Sequence, residues 1–60
     1  MDEAFSQKAI NEYNLGTKDF AKGDINGALR HFSSAIQDDP SIWTAYCDRG
    51  FCCYHLGTSF

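Results

Sequence analysis

The sequence has few cations, a single proline and no long apolar run. Five lysine and arginine residues stand against eight aspartates and glutamates, for a net charge of −3. The five cations are scattered, so the chain lacks the basic footprint with which proteins bind phosphate backbones. No apolar run approaches the roughly 20 residues that a membrane-spanning helix needs. We therefore expect neither a nucleic-acid partner nor a membrane partner.

A secretory signal and a disulfide framework are also missing from the pattern. Residues 1–3 are acidic where a signal peptide is basic, and no apolar segment of the required length follows them. The cysteines Cys47, Cys52 and Cys53 are odd in number. Adjacent cysteines rarely form a bridge, because the geometry strains the peptide bond between them. Free thiols without a signal peptide predict a reducing compartment, so we expect a cytoplasmic location.

The composition that remains is that of a small packed domain. Of the 60 residues, 43% are hydrophobic and 15% are aromatic, which argues against wholesale disorder. A chain of this length hides only about 60% of its unfolded surface on folding. We find no alternating strand pattern, no linker and no low-complexity segment. The sequence therefore predicts one all-α domain.

Three helices are predicted from periodicity and capping residues. Apolar and small residues recur at steps of four and three in a first helix from about Asp2 to Lys22. Asp2 is its predicted N-cap, and Gly23 is the left-handed residue that ends it. Asp24 is then the N-cap of an amphipathic second helix from about Ile25 to Asp38.

Pro40 prevents the second helix from continuing, and Ser41 is the predicted N-cap of a third helix from about Ile42 to Leu56. The next residue, a glycine, ends it. Because the turns are short, each helix is expected to run antiparallel to its neighbour, giving a helical hairpin plus a third helix. The predicted core comprises Leu15, Gly16, Ala28, Leu29, Phe32, Ala35, Tyr46, Gly50 and Cys53.

A repeat with a period of 34 residues underlies this organisation. The pattern runs through Asn14-Leu15-Gly16, Gly23-Asp24, Ala28, Phe32, Ala35 and Pro40, and its start returns as Tyr46, Gly50, Tyr54 and Gly57. It resembles the tetratricopeptide repeat, a helix-turn-helix unit that stacks into α-solenoids. The resemblance implies a full repeat over residues 9–42, extended at its N-terminus from about residue 2, and the first helix of a second repeat over residues 43–60.

Three residues depart from the family pattern. Glu12 and Asp19 stand where large apolar residues are common, which would suit an initial helix with no preceding repeat to cover it. Arg49 replaces the usual leucine of the second copy and resembles an arginine of chaperone-binding members of the family.

The resemblance also implies a function. First helices of this family line a concave groove that binds peptides or partner helices, which predicts a non-catalytic scaffold, adaptor or co-chaperone-like module. The partner-binding residues implied here are Tyr13, Thr17, Phe20, Asp48, Phe51 and His55. For Tyr13 and Phe20, simple packing between helices stays open as the alternative.

A more specific family activity is disfavoured. The carboxylate clamp that holds acidic chaperone tails needs a lysine and two asparagines, and the matching positions read Tyr13, Thr17 and Asp48. Asp48 would repel a terminal carboxylate that an amide would hold. Related helical repeats that read RNA are normally basic, unlike this chain.

Catalytic and metal chemistry are not expected, and no cofactor is implied. His31 and His55 lie on different predicted helices, with no nucleophile set beside them. At about 100° per residue, the three cysteines and His55 point around the whole helix, so they cannot converge on one ion. Cys53 is the predicted core thiol, with Cys47 and Cys52 semi-exposed.

The alternative is a structural segment of a larger enzyme or assembly, whose remainder covers the exposed surfaces. We expect the chain to be a fragment of a longer array, because the sequence stops within a repeat and one and a half repeats fall short of the about three that stability usually needs. A long first helix that suffices as a cap stays open as an alternative. The third helix should carry partly exposed aromatic side chains at Trp43, Phe51 and Tyr54. Self-association through that helix therefore stays open. Marginal stability or concentration-dependent melting should follow.

Overall fold

Three α-helices make up most of residues 5–57, the part of the chain that the computed structural model describes. They are α1 (Gln7–Lys22), α2 (Ile25–Asp38) and α3 (Trp43–Leu56). Within the described residues there is no β-strand. The helical hairpin of α1 and α2, followed by α3, confirms the predicted all-α fold class.

The turn between α1 and α2 forms as its two residues predict. Gly23 adopts φ 88°, a left-handed conformation that a side chain would strain, and its N–H bonds back to Phe20 at 3.0 Å. The Asp24 carboxylate then accepts the N–H of Gly27 at 3.0 Å and caps α2. Gly57 likewise ends α3 with φ 73°. These local signals placed the end of α1, the start of α2 and the end of α3 correctly.

The start of α1 differs from the prediction. Asp2 lies outside the described residues, and the helix begins only at Gln7, with the Ser6 hydroxyl accepting the N–H of Ala9 at 3.1 Å. The N–H of Ser6 donates to the Asp39 carboxylate at 2.9 Å, and its hydroxyl donates to Asp38. Ser6 thus binds to the end of α2 through a tertiary contact between residues 33 positions apart in the chain. This contact holds Ser6 outside α1.

The start of α3 is displaced for a similar reason. The predicted cap, Ser41, donates its hydroxyl to the Asp39 carboxylate at 2.6 Å instead of capping the helix. Ile42 takes the N-cap position without a side-chain capping bond, and α3 begins at Trp43. Because Ile42 is 1% exposed, burial of its side chain outweighs the missing polar cap.

Phe32 of α2 lies at the centre of the three helices. It is 1% exposed, contacts Gly16 of α1, and belongs to the same apolar cluster as Ala28 and Cys52. A second cluster joins the N-terminal part of α1, the end of α2 and the start of α3. Its buried members are Ala9, Ala35, Ile42 and Ala45.

The predicted core is right for α2 and displaced by one residue on α3. Gly16, Ala28, Phe32 and Ala35 are buried, and Leu29 and Gly50 are half-buried. Tyr46 and Cys53 were predicted on the inner face of α3, but the buried residues are their neighbours Ala45 and Cys52. Tyr46 is exposed and Cys53 half-buried.

One residue along a helix is a rotation of about 100°. α3 therefore turns a different face to α2 from the one predicted. The predicted core position Leu15 is also wrong, since its side chain is 45% exposed beside the apolar stripe of α1. The structure confirms the expected partial exposure of three aromatic side chains on α3, which is 63% for Trp43, 52% for Phe51 and 76% for Tyr54.

A polar contact also joins α1 to α2. His31 places Nδ1 3.0 Å from Glu12 and Nε2 3.3 Å from Asp19. The two carboxylates that depart from the family pattern therefore face α2 and hold its histidine. They do not form an uncovered outer surface, as the sequence had suggested.

Candidate functional site

The residues predicted to bind a partner lie along one groove. On α1 they are separated by four and three residues, and on α3 by three and four, so each set lies on one helical face. We call the surface that they share the α1–α3 groove; its residues are Tyr13, Thr17, Phe20, Asp48, Phe51 and His55.

Three rings form one end of the groove. The ring centroids of Phe20 and Phe51 are 5.7 Å apart and nearly parallel, with an interplanar angle of 14°. His55 meets both rings edge-on, 5.3 Å from Phe20 and 4.9 Å from Phe51. Such offset and edge-on arrangements are the favoured geometries of aromatic pairs. These contacts directly link α1 to α3, so Phe20 both packs between helices and lines the groove.

Tyr13 and Asp48 form the other end. Hydrogen bonding of the Tyr13 hydroxyl to the Asp48 carboxylate is the largest cause that raises the tyrosine pKa above its ordinary value of 10.0. Burial and the charge of Asp48 raise the pKa further, whereas a hydrogen bond with Thr44 lowers it. The Tyr13 ring packs on Phe32 at 5.5 Å. Tyr13 therefore also serves both packing and the groove.

An open cavity of about 230 Å³ lies between the two ends. Its lining consists of Thr17, Phe20, Phe32, Asp48 and Phe51. Four of these five were predicted groove residues, and Phe32, predicted as core, forms part of the wall. The Thr17 hydroxyl donates to the carbonyl of Asn14 at 2.8 Å, so its hydrogen-bonding capacity is partly used within α1.

Sequence reasoning missed two members of this site. Thr44 lies one helical turn before Asp48 on α3, and that spacing of four is the signal that could have found it. Phe32 reaches the cavity from α2, a helix that the family resemblance places away from the groove. Only the close approach at Gly16 brings its ring there.

The cysteines are distributed differently from the prediction. Cys52 is fully buried, Cys53 is half-buried and Cys47 is exposed. Burial is the main cause that raises the pKa of the Cys52 thiol, and the charge of Asp48 adds to it. Within residues 5–57, no group of three or more histidine, cysteine or acidic side chains could hold a metal ion.

No helix in the described part of the chain has the length and apolar character needed to cross a membrane. Four of the six groove residues carry aromatic rings, and the other two supply the Thr17 hydroxyl and the Asp48 carboxylate. This arrangement offers an apolar surface with a small number of polar contacts, the composition of surfaces that hold peptides or helices.

Comparison with known proteins finds a relative that this chain matches over a small part of the relative's length. The chain is 39% identical over 44 residues to stress-induced-phosphoprotein 1 of Caenorhabditis elegans. The matched region covers 73% of this chain and 14% of that protein. No protein-family model matches the sequence, and no solved structure matches it. The chain is thus similar to a short part of stress-induced-phosphoprotein 1.

Proposed function

We propose that this chain is a non-catalytic protein-interaction module whose α1–α3 groove holds a peptide or a helix of a partner protein. The observation that carries this proposal is the open cavity that Phe20 and Phe51 share with Thr17 and Asp48. An apolar cavity with a few polar groups on its wall supplies both affinity and orientation to a docked side chain.

The exposure of Phe51 supports the same proposal. Its side chain remains 52% exposed although it stacks on Phe20. Single exposed apolar residues are ordinary, but here the exposed surface continues into the rings of Phe20 and His55. A partner that covers this surface would remove apolar area from water, which favours binding.

The repeat organisation and the cellular setting are also part of the proposal. The 34-residue spacing and the similarity to stress-induced-phosphoprotein 1 support a tetratricopeptide-like repeat over residues 9–42 and the start of another over residues 43–60. The three free thiols support a reducing, cytoplasmic setting.

The surroundings of the histidines support a role without catalysis. The two nitrogens of His31 are directed to Glu12 and Asp19, between α1 and α2. His55 lies among aromatic rings of the groove. Neither arrangement is the pairing of a nucleophile with an oriented base that covalent catalysis requires.

The test is selection of peptides from a random displayed library on the immobilised 60-residue chain, followed by calorimetric titration of the selected peptide. Phe51→Ala should weaken binding about tenfold or more, as for other central aromatic contacts. Trp43→Ala is the matched control, since it removes an exposed ring from the start of α3, outside the groove, and should leave affinity unchanged. Equal affinities of the wild type and Phe51→Ala would refute the groove as the binding site.

The exposed rings of α3 favour one second candidate, a structural segment within a larger assembly. Trp43 and Tyr54 are 63% and 76% exposed and lie outside the groove. Another polypeptide segment or a second copy of the chain could cover them. If a second copy covers them, the melting temperature should rise with protein concentration, and Trp43→Ala together with Tyr54→Ala should abolish the rise. Melting that is independent of concentration would argue against a second copy.

A further inference from the structure

We propose that the α1–α3 groove selects partners that place a lysine or arginine side chain in its cavity, beside Asp48. This inference rests on the proposed function and specifies the chemistry of the partner.

Asp48 supplies the only formal charge among the residues that line this cavity. The side chain is half-buried, on a wall that otherwise consists of three phenylalanine rings and Thr17. A carboxylate in such apolar surroundings interacts with a neighbouring charge more strongly than one in bulk water. The cavity therefore has a negative potential and an apolar lining.

No cation of the described chain neutralises Asp48. The ion pairs found within residues 5–57 join Lys22 to Asp19, and His31 to Glu12 and Asp19. Arg49, the next residue along α3, has its guanidinium carbon 5.6 Å from the centre of the Tyr46 ring. Asp48 acts instead on the neutral phenol of Tyr13, whose pKa it raises through hydrogen bonding and through its charge.

Two neighbouring side chains respond to the charge of Asp48. The charge of Asp48 contributes to raising the pKa of both Tyr13 and Cys52, because each would become an anion beside an existing anion. A cation from outside would relieve the same unfavourable potential. An acidic side chain or a terminal carboxylate would increase it.

The rings of Phe20 and Phe51 favour the same ligand. Aromatic faces attract ammonium and guanidinium groups, and the attraction increases when water is partly excluded. The long aliphatic stems of lysine and arginine can lie on apolar surface while the charged end reaches a polar group. The cavity offers both, since the two rings and Asp48 are among the residues that line it.

The size of the cavity indicates one side chain. Its volume of about 230 Å³ is below the roughly 300–1,000 Å³ that sites for whole small molecules usually have. It is open to solvent, so a side chain can enter from a peptide or helix lying along the groove. A basic residue of that peptide would bring its charge to Asp48.

The experiment uses the peptide selected on the 60-residue chain. Its basic residues are replaced one at a time, lysine by norleucine and arginine by citrulline, and dissociation constants are measured for the wild type and Asp48→Asn. One replacement should weaken binding to the wild type about tenfold, as expected for loss of one charge-assisted contact. The same replacement should have little effect on Asp48→Asn. Asp38→Asn removes an equal charge elsewhere and should behave as the wild type.

A second probe does not depend on the selected peptide. N-acetyl-lysine amide and N-acetyl-arginine amide should shift the backbone resonances of Thr17, Asp48 and Phe51, whereas N-acetyl-norleucine amide and N-acetyl-glutamate amide should not. Asp48→Asn should abolish the shifts. Its circular dichroism spectrum should match that of the wild type, which separates loss of binding from loss of folding.

The outcomes separate this inference from the proposed function. A selected peptide that binds in a Phe51-dependent way but carries no basic residue would leave the docking groove in place and overturn the preference for a cation. Basic-residue contributions that are the same in the wild type and Asp48→Asn would also overturn it. Binding that is unaffected by both Phe51→Ala and Asp48→Asn would overturn both.

Discussion

Gly16 and Phe32 are in such close contact that a β-carbon on Gly16 would lie 2.6 Å from Cε1 of the phenylalanine ring. The ring is 1% exposed and is packed between α1 and α3, so it can move away from Gly16 only toward the groove cavity that it lines. The position of Phe32 in the groove cavity follows from this contact.

Gly16→Ala should therefore destabilise the chain. Overpacking costs about 1–3 kcal/mol, and the gain of about 1 kcal/mol from alanine in a helix offsets only part of it. We expect a lower urea midpoint by circular dichroism, with a net loss of stability. Asn14→Ala, at an exposed position of α1, should keep or slightly raise the midpoint. A Gly16→Ala chain as stable as the wild type would show that the Phe32 ring can move aside without loss of stability.

Asp39 should make stability dependent on acidic pH. The Ser41 hydroxyl, and then the N–H groups of Ser6 and Ser41, lower the pKa of Asp39 below its ordinary value of 3.8. A lowered pKa in the folded chain means a stabilising contribution that is present above 3.8 and lost as pH falls through the folded value.

This dependence can be measured with Asp39→Asn, which cannot change its charge. The melting temperature of the wild type should exceed that of Asp39→Asn at about pH 6, and the difference should shrink at about pH 2.5. The carboxyl carbon resonance of Asp39 gives its pKa directly. A difference in melting temperature that is constant across this range, or a carboxyl pKa at or above 3.8, would contradict the role of these hydrogen bonds.

Tyr13 should ionise at unusually high pH. Its hydrogen bond to Asp48 favours the protonated phenol, and its raised folded pKa adds stability below the ordinary value of 10.0 that is lost as pH rises through the folded value. In an absorbance titration of tyrosinate, Tyr13→Phe should remove the component that titrates above 10.0. Tyr54→Phe is the control and should leave that component in place. Its persistence in Tyr13→Phe would show that another residue causes it.

The thiols should differ in reactivity. Cys52 is buried and its pKa is raised, so it has little thiolate and little access to a reagent, whereas Cys47 is exposed. Alkylation followed by peptide mass analysis should label Cys47 first and Cys52 last. Urea should remove most of this difference, which serves as the control for intrinsic reactivity. Equal rates in the folded chain would contradict the observed orientation of α3.

The candidate site was predicted better than the packing of the helix that carries half of it. All six predicted groove residues share one surface, and four line the cavity; their role in binding stays a prediction. On α3, however, Tyr46 and Cys53 were predicted in the core in place of Ala45 and Cys52. Apolar residues occur on nearly every side of α3, so periodicity alone does not select its buried face.

The sequence by itself determined the helices and their turns, because these depend on local chemistry. Asp24 caps α2, and Gly23 and Gly57 supply the left-handed conformations that end α1 and α3. Only the tertiary structure decided the rotation of α3, the late start of α1 after Ser6 and the placement of His31 between Glu12 and Asp19. These features join residues that are far apart in the chain. Their contribution to stability depends on how closely the side chains of different helices fit together in the folded state, and a local sequence pattern carries no information about that fit.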